Sequence, residues 1–163
     1  MSGSRTGFAE IAQELDYSMI VVTCASGGRR AGCLVGFTTQ TSIYPPRFLV
    51  CLSRKNFTFR VAQDADVLVV HFVPADATDV AELFGGETGD EVDKFARCAW
   101  HPGPGGAPLI DELPDWFAGD VLERLDLGDH VGHLLAPIEG QAGRGDRPLT
   151  FHRARRIDPG HAP

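Results

Sequence analysis

What most constrains this chain is a series of short apolar runs, rich in β-branched residues and divided by glycine and proline, that begins at Met19. Met19–Ala25 is followed by Gly27-Gly28 and then by Ala31–Phe37, a spacing that predicts a hairpin. Arg47–Leu52 starts directly after Pro45-Pro46, where a missing N–H is tolerated at a strand entrance or an edge. Val67–Val73, Trp116–Leu125, Val131–Ile138 and a short Leu149–Arg155 complete the set. Helical spacing is confined to small pieces: Thr6–Leu15, Phe57–Gln63 behind Asn56, Ala77–Phe84 behind an Asp76/Asp79 capping pair, and a stretch around Glu91–Phe95. The Pro- and Gly-rich run His101–Pro108 reads as irregular. Six or seven strands in hairpin order with few helices predict a mainly β protein, an antiparallel barrel or sandwich, and exclude alternating βαβ architecture.

At 163 residues the chain is expected to form one domain over 1–163, with 1–6 and 157–163 flexible. Fifteen basic against 22 acidic side chains leave a net charge of −7, which argues against a nucleic-acid partner. No run reaches the ~20 apolar residues of a bilayer span. The opening Met1–Gly7 lacks the apolar core of a secretory signal, so a cytoplasmic location is expected. Cys24, Cys33, Cys51 and Cys98 fall at irregular spacings that suit buried free thiols, and no metal site is expected. None of these thiols stands beside a cationic cluster, which places thiol or hydrolytic chemistry last among the candidate functions.

Two stretches carry chemical information. Ser53-Arg54-Lys55-Asn56-Phe57-Thr58 sets two hydroxyls and two cations where a strand hands over to a helix, an arrangement suited to a phosphate. The same residues also suit a plain helix cap at Asn56 with Arg54 and Lys55 in solvent. In the second stretch, Thr38, Thr39, Gln40, Thr41 and Ser42 abandon apolar alternation after Gly32–Phe37, as beside a polar ligand or in a simple hairpin edge.

Taken in order, these elements resemble the flavin reductase family of FMN-binding proteins. The likeness rests on the hairpin Met19–Val35, the Thr/Ser-rich run closing in Pro45-Pro46, the Phe48–Leu52 strand and the Ser53–Thr58 loop. It also rests on Gly106-Ala107-Pro108-Leu109 and the triplet Gly128-Asp129-His130. The resemblance implies a six-stranded antiparallel split β-barrel and, as a rule, a homodimer. It implies FMN, or FAD, held at its phosphate by Ser53, Arg54, Lys55, Asn56 and Thr58, with Thr38–Ser42 along the ribityl chain and ring edge. It implies NADH or NADPH as co-substrate, a monooxygenase as recipient of the reduced flavin, and His130 where flavin and nicotinamide meet. Leu34, Gly36 and Phe37 stand where family members commonly carry Thr or Ser, and Phe37 is thereby a candidate to pack on the ring. Arg153-Ala154-Arg155-Arg156 replaces the family's frequent Arg-Gly-Arg-Tyr.

Hydride transfer between a nicotinamide and a flavin asks the protein mainly for placement, since the cofactors carry the reactive chemistry. His130 then reads as a donor to the ring edge or to the nicotinamide amide, with Asp129 fixing its tautomer, or else as an ordinary strand residue after a tight turn. His71, inside an apolar strand, reads as a satisfied core histidine, whereas His101, His133, His152 and His161 have no supporting constellation. Arg144, Arg147, Arg153, Arg155 and Arg156 form a solvated basic face or attract nicotinamide phosphates. Trp100 and Trp116 read as core or interface anchors. The competing function is a non-enzymatic flavin or haem carrier on the same fold.

Overall fold

The computed structural model describes residues 2–143 and 147–157, with side chains from residue 7 onward. Met1, Arg144, His161 and the rest of 158–163 therefore lie outside the described residues. The elements run α1 (Ser2–Glu14), β1 (Ile20–Ser26), β2 (Arg29–Val35), β3 (Thr38–Ser42), β4 (Arg47–Ser53), α2 (Phe57–Ala62), β5 (Val67–Phe72) and α3 (Thr78–Gly86). They continue with β6 (Trp100–Pro102), β7 (Pro108–Ile110), β8 (Trp116–Asp126), β9 (His130–Gln141) and α4 (Phe151–Ala154).

Seven strands form one antiparallel sheet in the order β2-β1-β5-β8-β9-β4-β3, and β6 pairs with β7 in a separate ribbon. The strands at the two edges, β2 and β3, are separated in sequence only by Gly36 and Phe37. Seven flat strands at about 4.8 Å would place those edges roughly 29 Å apart, yet Val35 to Thr38 spans at most about 11 Å. The sheet must therefore roll until those edges approach one another. The β3–β4 pairing extends into the two-residue link, where the Cys51 N–H of β4 donates to Phe37 C=O at 2.9 Å. The result is a rolled open sheet.

The count of six strands is corrected to seven. The polar run 38–42 pairs with β4 as an edge strand, because threonine suits extended backbone and an edge needs only one partner. The expected strand Leu149–Arg155 is replaced by an isolated bridge at Thr150 and by α4. Leu149 is held between the Met19 N–H and the Val73 C=O, after which Phe151 turns onto Tyr17. His101–Pro108 is less irregular than expected, because Pro102 and Pro108 sit opposite one another at the end of a two-stranded ribbon where no further strand needs their N–H. The Asp76/Asp79 cap does not form: α3 begins behind Ala77 without a side-chain cap, continues through Gly85-Gly86, and is held by burial of Val80, Ala81 and Phe84. The helical stretch expected at Glu91–Phe95 shrinks to one 3-10 turn, Lys94–Ala96.

β1 explains why its run is apolar throughout. Ile20, Val22 and Cys24 face the interior of the roll with Val50, Leu52, Leu68, Val70 and Leu135. Val21 faces outward under α3 with Val80, Phe84, Phe95 and Leu113. Both faces are buried, so alternation is lost. His71 is the satisfied core residue expected: its Nδ1 lies 3.1 Å from Val21 C=O and its Nε2 accepts from Ile110 N–H at 3.1 Å. Burial lowers its pKa to about 4. Among the described residues, no helix is long and apolar enough to cross a membrane, and no group of three or more His, Cys, Asp or Glu side chains could hold a metal ion.

Candidate functional site

Where the rolled edges approach one another, a cavity of about 380 Å³ opens between β2, β4 and the segment ahead of β1. Its walls are largely apolar, from Met19, Leu34, Val35, Cys51 and Leu52, and its polar end is Ser53, Asn56 and His130. Aromatic rings frame the mouth. Phe37, 55% exposed, lies 5.0 Å from the His130 ring and 6.2 Å from Tyr17, which stacks on Phe151 at 4.9 Å. Gly36 makes this packing feasible, since a Cβ there would lie 2.6 Å from the Tyr17 ring.

The loop after β4 builds the polar end. Asn56 caps α2, its side chain accepting from Thr58 N–H at 2.8 Å, as its sequence position predicts. The loop's amides are already occupied: Arg54 N–H donates to Asp129 C=O, Lys55 N–H to Ser53 Oγ, and Asn56 N–H to Ser53 C=O. An anion arriving here therefore meets side-chain donors before it meets open backbone. Thr58 is 1% exposed and its hydroxyl pairs with Cys33, so it faces the core. Arg54 bends across to the β8–β9 turn, donating from Nε to Gly128 C=O at 2.9 Å and from Nη2 to Asp126 Oδ1 at 2.7 Å.

That turn presents His130. Register pairs it with Ser53, and its Nδ1 lies 2.7 Å from Asp129 Oδ1. A carboxylate partner places the proton on Nδ1 and leaves Nε2 for other work. The hydrogen bond from His130 holds the Asp129 carboxyl below the usual carboxylate range. Of the residues expected at the site, Ser53, Asn56 and His130 thus line one cavity. Arg54 and Lys55 stand beside it, and Thr38, Thr39, Gln40, Thr41 and Ser42 run away from it along β3.

Tyr17, Met19, Cys51 and Phe151 are lining residues that the sequence did not disclose, because they come from segments brought together only by the roll. His133, without a constellation in the sequence, is fully buried beside Arg124 and Phe59, and its Nε2 has no hydrogen-bond partner among the described residues. Desolvation lowers its pKa. Another hollow of about 400 Å³ lies between Gly28–Gly32 and Gly89–Phe95. Its lining mixes Arg29, Arg30 and Lys94 with Asp90, Glu91 and Asp93, and lacks the apolar slot of the first.

A rolled antiparallel sheet thus carries a largely apolar cavity that ends in hydroxyl, amide and imidazole groups. The chain belongs to the flavin reductase like domain family, which matches residues 13–160. It is 27% identical over 153 residues to the FMN reductase (NADH) RutF of Ancylobacter novellus, covering 94% of this chain and 83% of that protein. It superposes on the NADH:FAD oxidoreductase SgcE6 of Streptomyces globisporus C-1027 with a TM-score of 0.82 at 20% identity, over 93% of this chain and 90% of that one. A chain from Sinorhizobium meliloti 1021 aligns with a TM-score of 0.79 at 22% identity, over 89% of this chain and half of that one, 50%. At such identities the structural likeness concerns the fold.

Proposed function

We propose that this protein is an NAD(P)H-dependent flavin reductase that binds FMN, with FAD as the second flavin, in the slot between β2 and β4, and that the rolled sheet is the split β-barrel of its family. The observation that carries the reading is the polarity gradient of one cavity, apolar between Leu34 and Cys51 and polar at Ser53, Asn56 and His130. An isoalloxazine ring with a ribityl phosphate has the same gradient. The bound flavin supplies the two-electron acceptor for the hydride of a reduced nicotinamide.

The chain's residues bind, orient and shield. Ser53 Oγ, Lys55, Asn56 and the remaining N–H groups of Arg54 face the phosphate, with Thr58 fixing the loop from beneath. Thr38, Thr39, Gln40, Thr41 and Ser42 lead away from the slot along β3, so the tail contacts fall to the loop after β4. Leu34, Cys51 and Leu52 keep water from the ring, and Phe37 covers its open side. His130 Nε2 stands at the mouth, where the nicotinamide must enter, and orients the ring edge or the nicotinamide amide. Phe8 and Ile11 on α1 and Leu15 just after it are exposed, which supports a homodimer in solution. A partner monooxygenase that consumes the reduced flavin and a cytoplasmic setting complete the proposal.

The test is spectroscopic. FMN added to purified protein should show a perturbed visible band, and NADH or NADPH should then be oxidised with turnover. Ser53→Ala should weaken FMN binding roughly 10-fold or more, as expected for a hydrogen bond to a charged group. Flavin capture without nicotinamide oxidation would leave a carrier in place of a reductase.

A further inference from the structure

His130 is held only lightly by its own partner, since the Asp129 side chain is 86% exposed. What fixes the turn beneath it is Arg54. Three donors of this one residue reach three residues of the turn: Nη2 to Asp126 Oδ1 at 2.7 Å, Nε to Gly128 C=O at 2.9 Å, and the amide N–H to Asp129 C=O at 3.0 Å. Asp126 Oδ1 also receives Gly128 N–H at 3.3 Å, and Gly128 holds φ at +124°, a conformation that side chains disfavour. The acceptors therefore sit in one rigid loop that ends at His130.

We propose that the Arg54–Asp126 pair is a positioning device that locks the β8–β9 turn to the loop after β4, so that the element facing the flavin phosphate also sets the place of the His130 ring. This rests on the reading of His130 as a working group in flavin reduction. Arg54 has five N–H donors in its side chain and commits two of them to the turn, so the other three lie outside that contact. One guanidinium thus couples the tail of the flavin to the mouth of the slot. Lysine cannot do this, because a single ammonium does not reproduce a fork. The pair is 43% and 78% exposed, so its contribution to global stability is small and its effect is on geometry.

Asp126→Ala in the full chain removes the turn's end of the pair while keeping every proposed flavin ligand in the chain. Turnover with NADH and FMN should fall about 5-fold or more, as small displacements at a reacting centre do. The KM for FMN should change less than about 2-fold if the tail anchor is untouched. In flavin-free protein, the His130 ring signals should shift by NMR. Arg54→Lys should keep most of the FMN affinity and reproduce the loss of turnover. Unchanged His130 signals and unchanged turnover in Asp126→Ala overturn the proposal. His130→Ala run in parallel separates the two ideas: full turnover there removes His130 from the reaction, whereas a His130→Ala loss with normal Asp126→Ala turnover removes only the positioning role.

Discussion

The rings of Tyr17 and Phe151 stack 4.9 Å apart with 17° between their planes, tying the segment before β1 to the helix that follows Thr150. This pair closes one wall of the slot, and the C-terminal segment thereby becomes part of the site. Phe151→Ala should lower unfolding stability by about 2 kcal/mol in urea titration, less than a fully buried phenylalanine because the residue is half-buried. The same variant should weaken FMN binding by fluorescence titration. Unaltered flavin affinity would place the C-terminal segment outside the site.

Gly36 has a steric prediction. A methyl group there would meet the Tyr17 ring at 2.6 Å and Met19 Sδ at 3.3 Å. Gly36→Ala should cost about 1–3 kcal/mol of stability, as overpacking does, and should displace the Tyr17 ring. Wild-type denaturation together with unchanged tyrosine fluorescence would contradict it.

Cysteine reactivity reports occupancy of the slot. Cys51 is partly exposed and lines the cavity, and Cys98 is partly exposed elsewhere. Cys24 and Cys33 are buried, and burial pushes the Cys24 thiol up to about 12. Slow alkylation at neutral pH should therefore label Cys51 and Cys98 ahead of the other two. Excess FMN should protect Cys51 and leave Cys98 unprotected by mass spectrometry. Equal labelling of Cys51 with and without FMN would move the flavin elsewhere.

Stability should fall on mild acidification because of His71. Folded, this imidazole takes its proton only near pH 4, whereas an unfolded histidine does so near pH ~6.5. The unfolded state therefore binds more protons in between, so this contribution is complete above the unfolded value and is lost as pH drops through the window. The full difference is on the order of 3 kcal/mol. Urea midpoints between pH 7 and 5 should decline for wild type. His71→Leu should be less stable throughout, since Ile110 N–H loses its acceptor, and should show a flatter profile. An equally steep profile in that variant would assign the slope elsewhere.

The strands of the main sheet were legible apart from β3, because β-branched apolar runs bounded by glycine and proline have few alternatives to extended pairing. Asn56 was legible as a cap because capping depends on neighbours two residues away. What the Ser53–Thr58 loop does with its cations was not. Arg54 reads in sequence as a phosphate ligand, but part of its guanidinium is committed to Asp126 and Gly128, more than seventy residues onward. Thr58 reads as an exposed hydroxyl, yet α2 turns it toward Cys33.

The chain by itself determined an antiparallel β protein, its hairpin order and the family it resembles, since those follow from local propensity and short-range spacing. Only the tertiary structure decided that β2 and β3 become the two edges of one rolled sheet, that Tyr17 and Phe151 share a wall, and that Arg54 reaches the His130 turn. Such contacts join residues far apart in the chain, and their energy exists only once the sheet has curled enough to bring them within reach.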